Sequence, residues 1–486
     1  MNKVIFLIFG YLTSLLFPPY FFFPFGFIIF PFLCHYTDYK QNNLKKNITF
    51  TNIFLFSIGF FTNFLFWIQN PFYVFEDTKK LFFLSFILII LLGLIFTCIF
   101  LIIIKFNKYL PTIFKIPIIF VLSEYIIANI FYGFPWVSFS LIVSSNEYFS
   151  FILKNFGTLI TSYIVIQLFC LPYLFIKIDL YKFFLKTFSL FCLIPLILII
   201  LYHNFKHRDL ALFEEKLNFQ IIQLNHQNQA LDNNSIVKMD TIISYIYKSN
   251  AELIIFAENN YPYLIDDLKI DEIQSVLKRN QTVIIGGTRI EDSKYFNTFL
   301  NITHDKVKYF DKKILVPFGE FLPFRDFINF FEPISGLIDY QTGQTQRIIK
   351  LNSKINYIPI ICYEIIFYWK IINNFNRNSN FIINITNDSW FGNLLGPYQH
   401  FYFSKIRAAE FNKPIIRVSN NGISGIVDNN GKIIMTTNLN TQHSSNHSIY
   451  LNNNLNYFKT HNVIKIYFFI LVFLSFLFNQ KKNEHR

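Results

Sequence analysis

Ile358-Pro-Ile-Ile-Cys362-Tyr363-Glu364 is an apolar, β-branched run that stops abruptly at a thiol, a phenol and a carboxylate. A short apolar run closed by polar residues reads as a buried strand. Its last residue lies where a rigid sheet can present a side chain at its carboxyl edge. The same grammar recurs on either side of it, and candidate strands fall at 219–224, 253–258, 282–286, 357–362, 381–386, 415–419, 425–427 and 432–436. Helical stretches lie between them, clearest at 234–249 and 398–412. Short apolar strands interleaved with helices predict a layered α/β domain over 215–455, long enough for one buried core.

The rest of the chain has a different composition. Of 486 residues, 53% are hydrophobic, 20% aromatic and 15% charged, where a soluble protein carries about 25% charged residues. The apolar excess is confined to the first part of the chain and a stretch near its end, which predicts a membrane-embedded part beside a water-soluble one. Candidate spans lie at 4–17, 19–36, 52–70, 80–104, 113–131, 156–176, 185–202 and 462–479, eight in all. Pro18-Pro19 divides the first apolar stretch, so two short helices folded back at the prolines are favoured over one long kinked helix. Lys3 and the apolar run after it suit a signal peptide, but no small-x-small cleavage site follows, and an uncleaved span is expected.

Orientation follows from the short loops, because Lys and Arg are retained on the cytoplasmic side. Lys40, Lys45 and Lys46, then Lys105 and Lys108, then Lys177, Lys182 and Lys186 fall in alternate loops, and the tail ends with Lys481, Lys482 and Arg486. The loop at 132–150 has neither Lys nor Arg, and Lys79 and Lys80 are offset by Glu76 and Asp77. The expected layout is a bundle of seven spans over 1–202, an exported domain over 203–461, and a last span with a cytoplasmic tail over 462–486. Both termini are then cytoplasmic. The net charge of +13 finds its explanation in these loops, and no nucleic-acid partner is expected. Glu124 is the exception to scarce intramembrane charge, expected near a helix end or facing other helices.

Cys34, Cys98, Cys170 and Cys192 lie in or at the edge of apolar spans, which leaves Cys362 alone in the exported domain. With no partner for a disulfide there, it is either an inert buried side chain or a nucleophile. Glu258 closes Leu253-Ile-Ile-Phe-Ala-Glu258 as Cys362 closes its own run, and Lys312 stands in Tyr309-Phe-Asp-Lys312-Lys-Ile-Leu-Val-Pro-Phe-Gly-Glu320. Taken singly, a strand-end Glu or Lys is ordinarily a solvated charge. Together the three make chemical sense: the carboxylate takes the thiol proton, and the ammonium lowers the thiol pKa and stabilises charge on an attacked carbonyl. His203, His207, His226 and His400 show no ligand spacing, so no metal and no cofactor are expected.

The order Glu, then Lys before Leu-Val-Pro-Phe-Gly-Glu, then Cys-Tyr-Glu resembles the nitrilase superfamily, and within it the apolipoprotein N-acyltransferases of Gram-negative bacteria. Thr386-Asn-Asp-Ser-Trp-Phe-Gly392, Gly396-Pro-Tyr-Gln-His400, Arg407-Ala-Ala-Glu410 and Ser419-Asn-Asn-Gly422 support it, as do Gly133-Phe-Pro-Trp136 and Gly59-Phe-Phe…Trp67 in the membrane part. The resemblance implies a nitrilase-like αββα sandwich and a triad of Glu258 as base, Lys312 as oxyanion stabiliser and Cys362 as nucleophile. Glu320, Tyr363 and Glu364 are implied in support, and distance to the Leu-Val-Pro-Phe-Gly-Glu run selects Lys312 over Lys313. It further implies a phospholipid acyl donor, a Cys thioester intermediate, and a diacylglyceryl-cysteine apolipoprotein as acceptor. The expected place is the bacterial inner membrane with the catalytic domain periplasmic, and a monomer is expected. One departure stands out. The family often follows its first strand with Gln-Gly-Asn and then Lys-Trp, whereas here Gln223-Leu224-Asn225 is followed by no Trp.

Phe318, Phe321, Trp390 and Phe391 are candidates to line the acyl site, with ordinary core packing as the competing reading. Phe324, Phe327, Phe330 and Phe331 extend the first pair into a segment expected to rest on the membrane surface. The same triad also suits a membrane-anchored nitrilase-type amidase hydrolysing a small amide, against which the spans argue. A transporter or scaffold with an inactive exported domain is disfavoured by the intact triad.

Overall fold

The computed structural model describes residues 3–42, 49–74, 76–106, 110–175, 215–226, 235–265, 267–326 and 338–451. The described residues divide into two compact units, one within 3–68 and 83–175 and the other within 69–82 and 215–451.

The first unit is helical: α1 (Lys3–Ser14), α2 (Gly26–Asn42), α3 (Phe50–Phe64), α4 (Leu84–Phe106), α5 (Thr112–Asn129) and α6 (Ser150–Cys170). The apolar stretch 4–36 forms two helices, with Pro18-Pro19 in the break between them. The α1 and α3 backbones touch. A Cβ on Gly10 would lie 1.9 Å from the Phe56 carbonyl oxygen, and one on Gly59 would lie 2.2 Å from that of Leu7. Small residues allow such an approach where lipid supplies no hydrophobic drive. Trp136 of the Gly-Phe-Pro-Trp run is fully buried, its ring 4.4 Å from that of Trp67. Glu124 faces the turn after α5, where its carboxylate accepts from Ser138 Oγ (2.8 Å) and Phe139 N–H (3.0 Å).

The expected eight spans are not all seen. Three helices among the described residues are long and apolar enough to cross a membrane, Thr78–Lys105, Thr112–Asn129 and Ile152–Phe175, and a fourth counts if Phe50–Phe64 and Phe66–Tyr73, bent by 49°, form one span. The shortfall has a physical cause at α1, whose 12 residues cover only about 18 Å at 1.5 Å per residue, against about 30 Å of hydrocarbon. The expected spans at 185–202 and 462–479 lie outside the described residues.

The second unit holds two sheets. The first orders β13 (His443–Leu451), β1 (Glu215–Gln223), β2 (Leu253–Ile255), β4 (Thr282–Glu291), β5 (Lys294–Thr303) and β6 (Val307–Asp311), with β3 (Leu264–Ile265) beside β4. The second orders β12 (Ile433–Thr436), β11 (Gly425–Val427), β10 (Ile415–Ser419), β9 (Phe381–Thr386), β8 (Asn356–Ile361) and β7 (Ile349–Lys350). Their inner faces meet, as where Asn301 of β5 donates to the Tyr357 hydroxyl of β8 (2.7 Å). Helices α7 (Ser235–Lys248) and α8 (Asp267–Val276) cover the first sheet through Met239, Ile242, Ile246, Ile270 and Ile273, and α9 (Gly396–Phe411) packs against β10 and β11. This is the αββα sandwich.

Pro359 interrupts β8 at no cost to the ladder. A residue's N–H and C=O point to the same side of a strand, and the Pro359 carbonyl accepts from Arg347 Nη1 (3.0 Å), not from β9. The missing N–H therefore falls on the open side beyond β7, the kind of position where Pro is tolerated.

Replacing Gly59 by Leu sets a side chain against the α1 backbone, which cannot yield as a flexible side chain would. The thermal midpoint of the detergent-solubilised protein should fall by an amount equivalent to about 3 kcal/mol or more, the upper end for overpacking. Gly93→Ala, where the nearest atoms are side-chain atoms at 3.1 Å, should be nearly silent. Equal midpoints for the two variants would contradict the close α1–α3 contact.

Candidate active site

The structure brings Glu258, Lys312 and Cys362 together, each just past the carboxyl end of a strand: β2, β6 and β8. Gly286 of β4 makes room for the first, since a Cβ there would lie 2.6 Å from Glu258 Cα. Lys312 Nζ is 3.4 Å from Glu258 Oε1 and 2.8 Å from Glu320 Oε1. Asn297 Nδ2 donates to the same two oxygens, at 2.8 and 2.7 Å. Asn387 N–H donates to Glu258 Oε2 (2.8 Å) and Val316 N–H to Glu320 Oε2 (2.8 Å). Glu258 and Cys362 are close enough for each to shift the other's proton affinity. Asn297 lies in β5, a strand that the apolar pattern does not mark, so nothing in the sequence singles it out.

Cys362 opens the tight turn Cys362–Ile366 with a left-handed φ of 49°. Such a backbone costs about 1–3 kcal/mol and persists only when its surroundings over-determine it. Glu364 supplies much of that. Its carboxylate accepts from Ile361 N–H (2.9 Å) at the base of the turn, and from Lys313 N–H (2.8 Å) and Ile314 N–H (3.1 Å) on the segment that carries Lys312. Arg347 Nη1 and Nη2 clamp both its oxygens at 2.7 Å. One carboxylate thus ties the turn of Cys362 to the segment of Lys312, and Arg347, which no motif announced, neutralises it. Tyr363 is buried, edge-on to Phe367 at 5.1 Å.

A second buried cluster backs the thiol. Asp388 Oδ1 is 2.8 Å from His400 Nδ1, and Arg417 Nη2 is 2.8 Å from Asp388 Oδ2 and 3.0 Å from His400 Nδ1. His400 Nε2 lies 3.3 Å from the Cys362 carbonyl oxygen. Gly422 closes the Ser419-Asn-Asn-Gly run against Asp388, where a Cβ would fall 2.0 Å from Oδ2. Arg407 Nε donates to the Ile365 carbonyl (3.2 Å) from beneath the turn and pairs with Glu410. The motifs quoted from sequence therefore converge on the support of Cys362, whereas Arg417 carried no signal beyond an apolar strand pattern.

The candidate lining residues separate. Phe318 is exposed in a left-handed conformation, and its N–H donates to the Phe321 carbonyl (2.8 Å). Trp390 is half-buried, while Phe391 is turned inward, edge-on to His400 at 5.2 Å. Asn70 Nδ2 donates to the Phe391 carbonyl (2.9 Å), so residues 69–82 contribute to this unit. Phe324 is exposed, and Phe327, Phe330 and Phe331 lie outside the described residues.

Burial raises the Glu258 pKa above its ordinary value; Lys312 opposes this and Glu320 adds to it. Burial alone would lower Lys312, but Glu320 and Glu258 outweigh it and keep the ammonium charged. Lys312 lowers the thiol pKa, as expected, but it does not decide the balance. Burial and then Glu258 hold Cys362 above its ordinary value, and Lys312 offsets this only partly. Cys362 therefore rests as a thiol. Burial alone would raise Glu364, but the Arg347 pair and the backbone N–H groups hold it below its ordinary value.

Residues 221–451 match the carbon-nitrogen hydrolase family, and residues 9–171 match the apolipoprotein N-acyltransferase N-terminal domain. The apolipoprotein N-acyltransferase of Rickettsia prowazekii (strain Madrid E) is 31% identical over 466 residues, 90% of each chain. That of Wigglesworthia glossinidia brevipalpis is 31% identical over 461 residues, 88% of this chain and 87% of its own. Among solved structures, XC1258 from Xanthomonas campestris, a CN-hydrolase superfamily protein, is similar at 15% identity and a TM-score of 0.36, covering 48% of this chain and 91% of its own.

Alkylation of Cys362 by iodoacetamide, read by peptide mass, should rise with pH through the raised pKa of Glu258, because only the ionised carboxylate accepts the thiol proton. Glu320→Gln removes a like charge that holds that pKa up. The acid limb should therefore move to lower pH, even if the plateau rate drops. A limb that stays or moves to higher pH would contradict the coupling of the two carboxylates.

Proposed function

Because this chain belongs to the apolipoprotein N-acyltransferase family, we propose that it N-acylates the diacylglyceryl-cysteine amino terminus of apolipoproteins with an acyl chain from a membrane phospholipid. The observation that carries this reading is the buried meeting of Glu258, Lys312 and Cys362 at the carboxyl ends of three strands.

Cys362 Sγ attacks the ester carbonyl carbon of the phospholipid while Glu258 takes the thiol proton. The oxyanion is met by the Lys312 ammonium and by a backbone N–H beside Cys362, that of Tyr363. Collapse breaks the ester C–O bond, and the departing lysophospholipid oxygen takes the proton back from Glu258, leaving a thioester on Cys362. The α-amine of the acceptor then attacks the thioester carbon and gives a proton to Glu258. The C–S bond breaks, the sulfur is reprotonated, and the amide product leaves. One carboxylate serves both half-reactions. Glu320 and Asn297 hold Lys312 and Glu258 in place, and Glu364 with Arg347 holds the turn.

Both substrates are lipids, and each methylene moved from apolar surroundings into water costs about 0.8 kcal/mol. A bundle that keeps the catalytic unit at the bilayer spares that cost. The Lys and Arg of alternate loops support cytoplasmic termini and a periplasmic catalytic unit in the inner membrane. Trp390, Phe318 and Phe321 are proposed to border the acyl chain. The enzyme is proposed to act as a monomer.

Proteoliposomes containing the full chain, a phospholipid with a labelled acyl chain and a diacylglyceryl-cysteine peptide should yield labelled N-acyl peptide and an equal amount of lysophospholipid. Free fatty acid without labelled peptide, together with ammonia released from small amides, would replace this reading with a hydrolase.

A further inference from the structure

We propose that His400 is a positioning residue that aims the backbone oxyanion donor of the site, by gripping the opposite end of the same peptide. The proposal rests on the acyl-transfer reading above and adds to it a residue that touches no reacting atom.

A trans peptide is planar, so its C=O and N–H point in opposite directions. Whatever fixes the Cys362 carbonyl therefore fixes the Tyr363 N–H. That carbonyl belongs to a residue at φ 49°, a conformation that a residue with a Cβ leaves unless held. His400 Nε2, 3.3 Å from the oxygen, holds it from the side away from the N–H. A hydrogen bond accepted by the carbonyl also polarises the peptide, strengthening the N–H as a donor by about 10–30%.

The imidazole is itself immobilised. It sits inside α9 with no exposure. Its Nδ1 accepts from Arg417 Nη2 (3.0 Å), which also binds Asp388 Oδ1 (3.1 Å); this tautomer leaves the proton on Nε2 for the Cys362 carbonyl, and Phe391 flanks the ring. Asp388 is held in turn by Arg417, Thr386 Oγ1 (3.1 Å) and Ser419 Oγ (3.3 Å), with Gly422 closed against it. The two oxyanion donors are thus set independently: Lys312 by carboxylates of the first sheet's loops, the peptide by a helix packed on the second sheet. An inert core histidine would need no contact with the one strained peptide of the nucleophile.

The test measures two reactions of Cys362 in the full-length protein in detergent. Thioester formation from a phospholipid with a labelled acyl chain needs an oxyanion donor; alkylation by iodoacetamide needs only the thiol and Glu258. His400→Leu should slow thioester formation by about 100-fold, the usual loss for one such donor, and leave alkylation near the wild-type rate. His400→Gln, which returns an N–H donor at the Nε2 position, should recover much of the loss. His400→Asn, polar but one methylene shorter, should not, and this pair carries the test where the Leu variant does not fold. Unchanged thioester formation in Leu and Asn would overturn the proposal, as would parallel loss of both reactions in Gln and Asn alike. Wild-type protein that is alkylated yet forms no thioester would remove the acyl-transfer reading, and this inference with it.

Discussion

An ammonium group almost wholly removed from water governs this site. The Lys312 side chain is 1% exposed, and an unpaired charge so placed costs several kcal/mol. Two carboxylates, bridged to each other by the Asn297 amide N–H groups, meet that demand, and the rest follows from it. Glu258 and Glu320 are drawn toward each other, which raises the affinity of Glu258 for a proton and suits it to act as a base. The same carboxylate, together with burial, keeps Cys362 protonated until a substrate arrives. Cys362, Glu258 and Lys312 follow different strands of two sheets, so the face-to-face packing of the sandwich is what assembles them.

The assembly holds because a second carboxylate works in the opposite sense. Glu364 is as buried as Glu258, yet its acidity is raised, since Arg347 and three backbone N–H groups satisfy it. It joins the turn of Cys362 to the segment of Lys312 and offsets the strain at φ 49°. Two buried glutamates in one unit thus have pKa values pushed apart by their partners, one free to exchange a proton and the other locked as a fixed anchor.

Much of this was legible in the chain. Strands 381–386, 415–419 and 425–427 stand as expected, because each is a short apolar run with two buried faces and polar ends. β5, β6 and β13 were not found. β13 reads His-Ser-Ser-Asn-His-Ser-Ile-Tyr-Leu and owes its pairing to β1, not to an apolar pattern of its own. Glu258 and Cys362 were visible because each closes an apolar run, and Lys312 because of its distance from Leu-Val-Pro-Phe-Gly-Glu. Asn297, Arg347 and Arg417 were not, since a buried polar side chain is defined by partners distant in sequence. The pull of the lysine on the thiol pKa has the expected direction, but burial and a carboxylate distant in sequence outweigh it. In the membrane part, hydropathy located apolar segments but could not separate a short helix such as α1 from a full span.

The central claim is that Cys362 carries the acyl chain. Incubation of the full-length protein in detergent with a phospholipid bearing a labelled acyl chain, without acceptor, tests it directly. The account predicts label on Cys362 that hydroxylamine releases, absent from Cys362→Ala. Folded wild-type protein that transfers acyl chains to an acceptor peptide yet never carries hydroxylamine-labile label would contradict it.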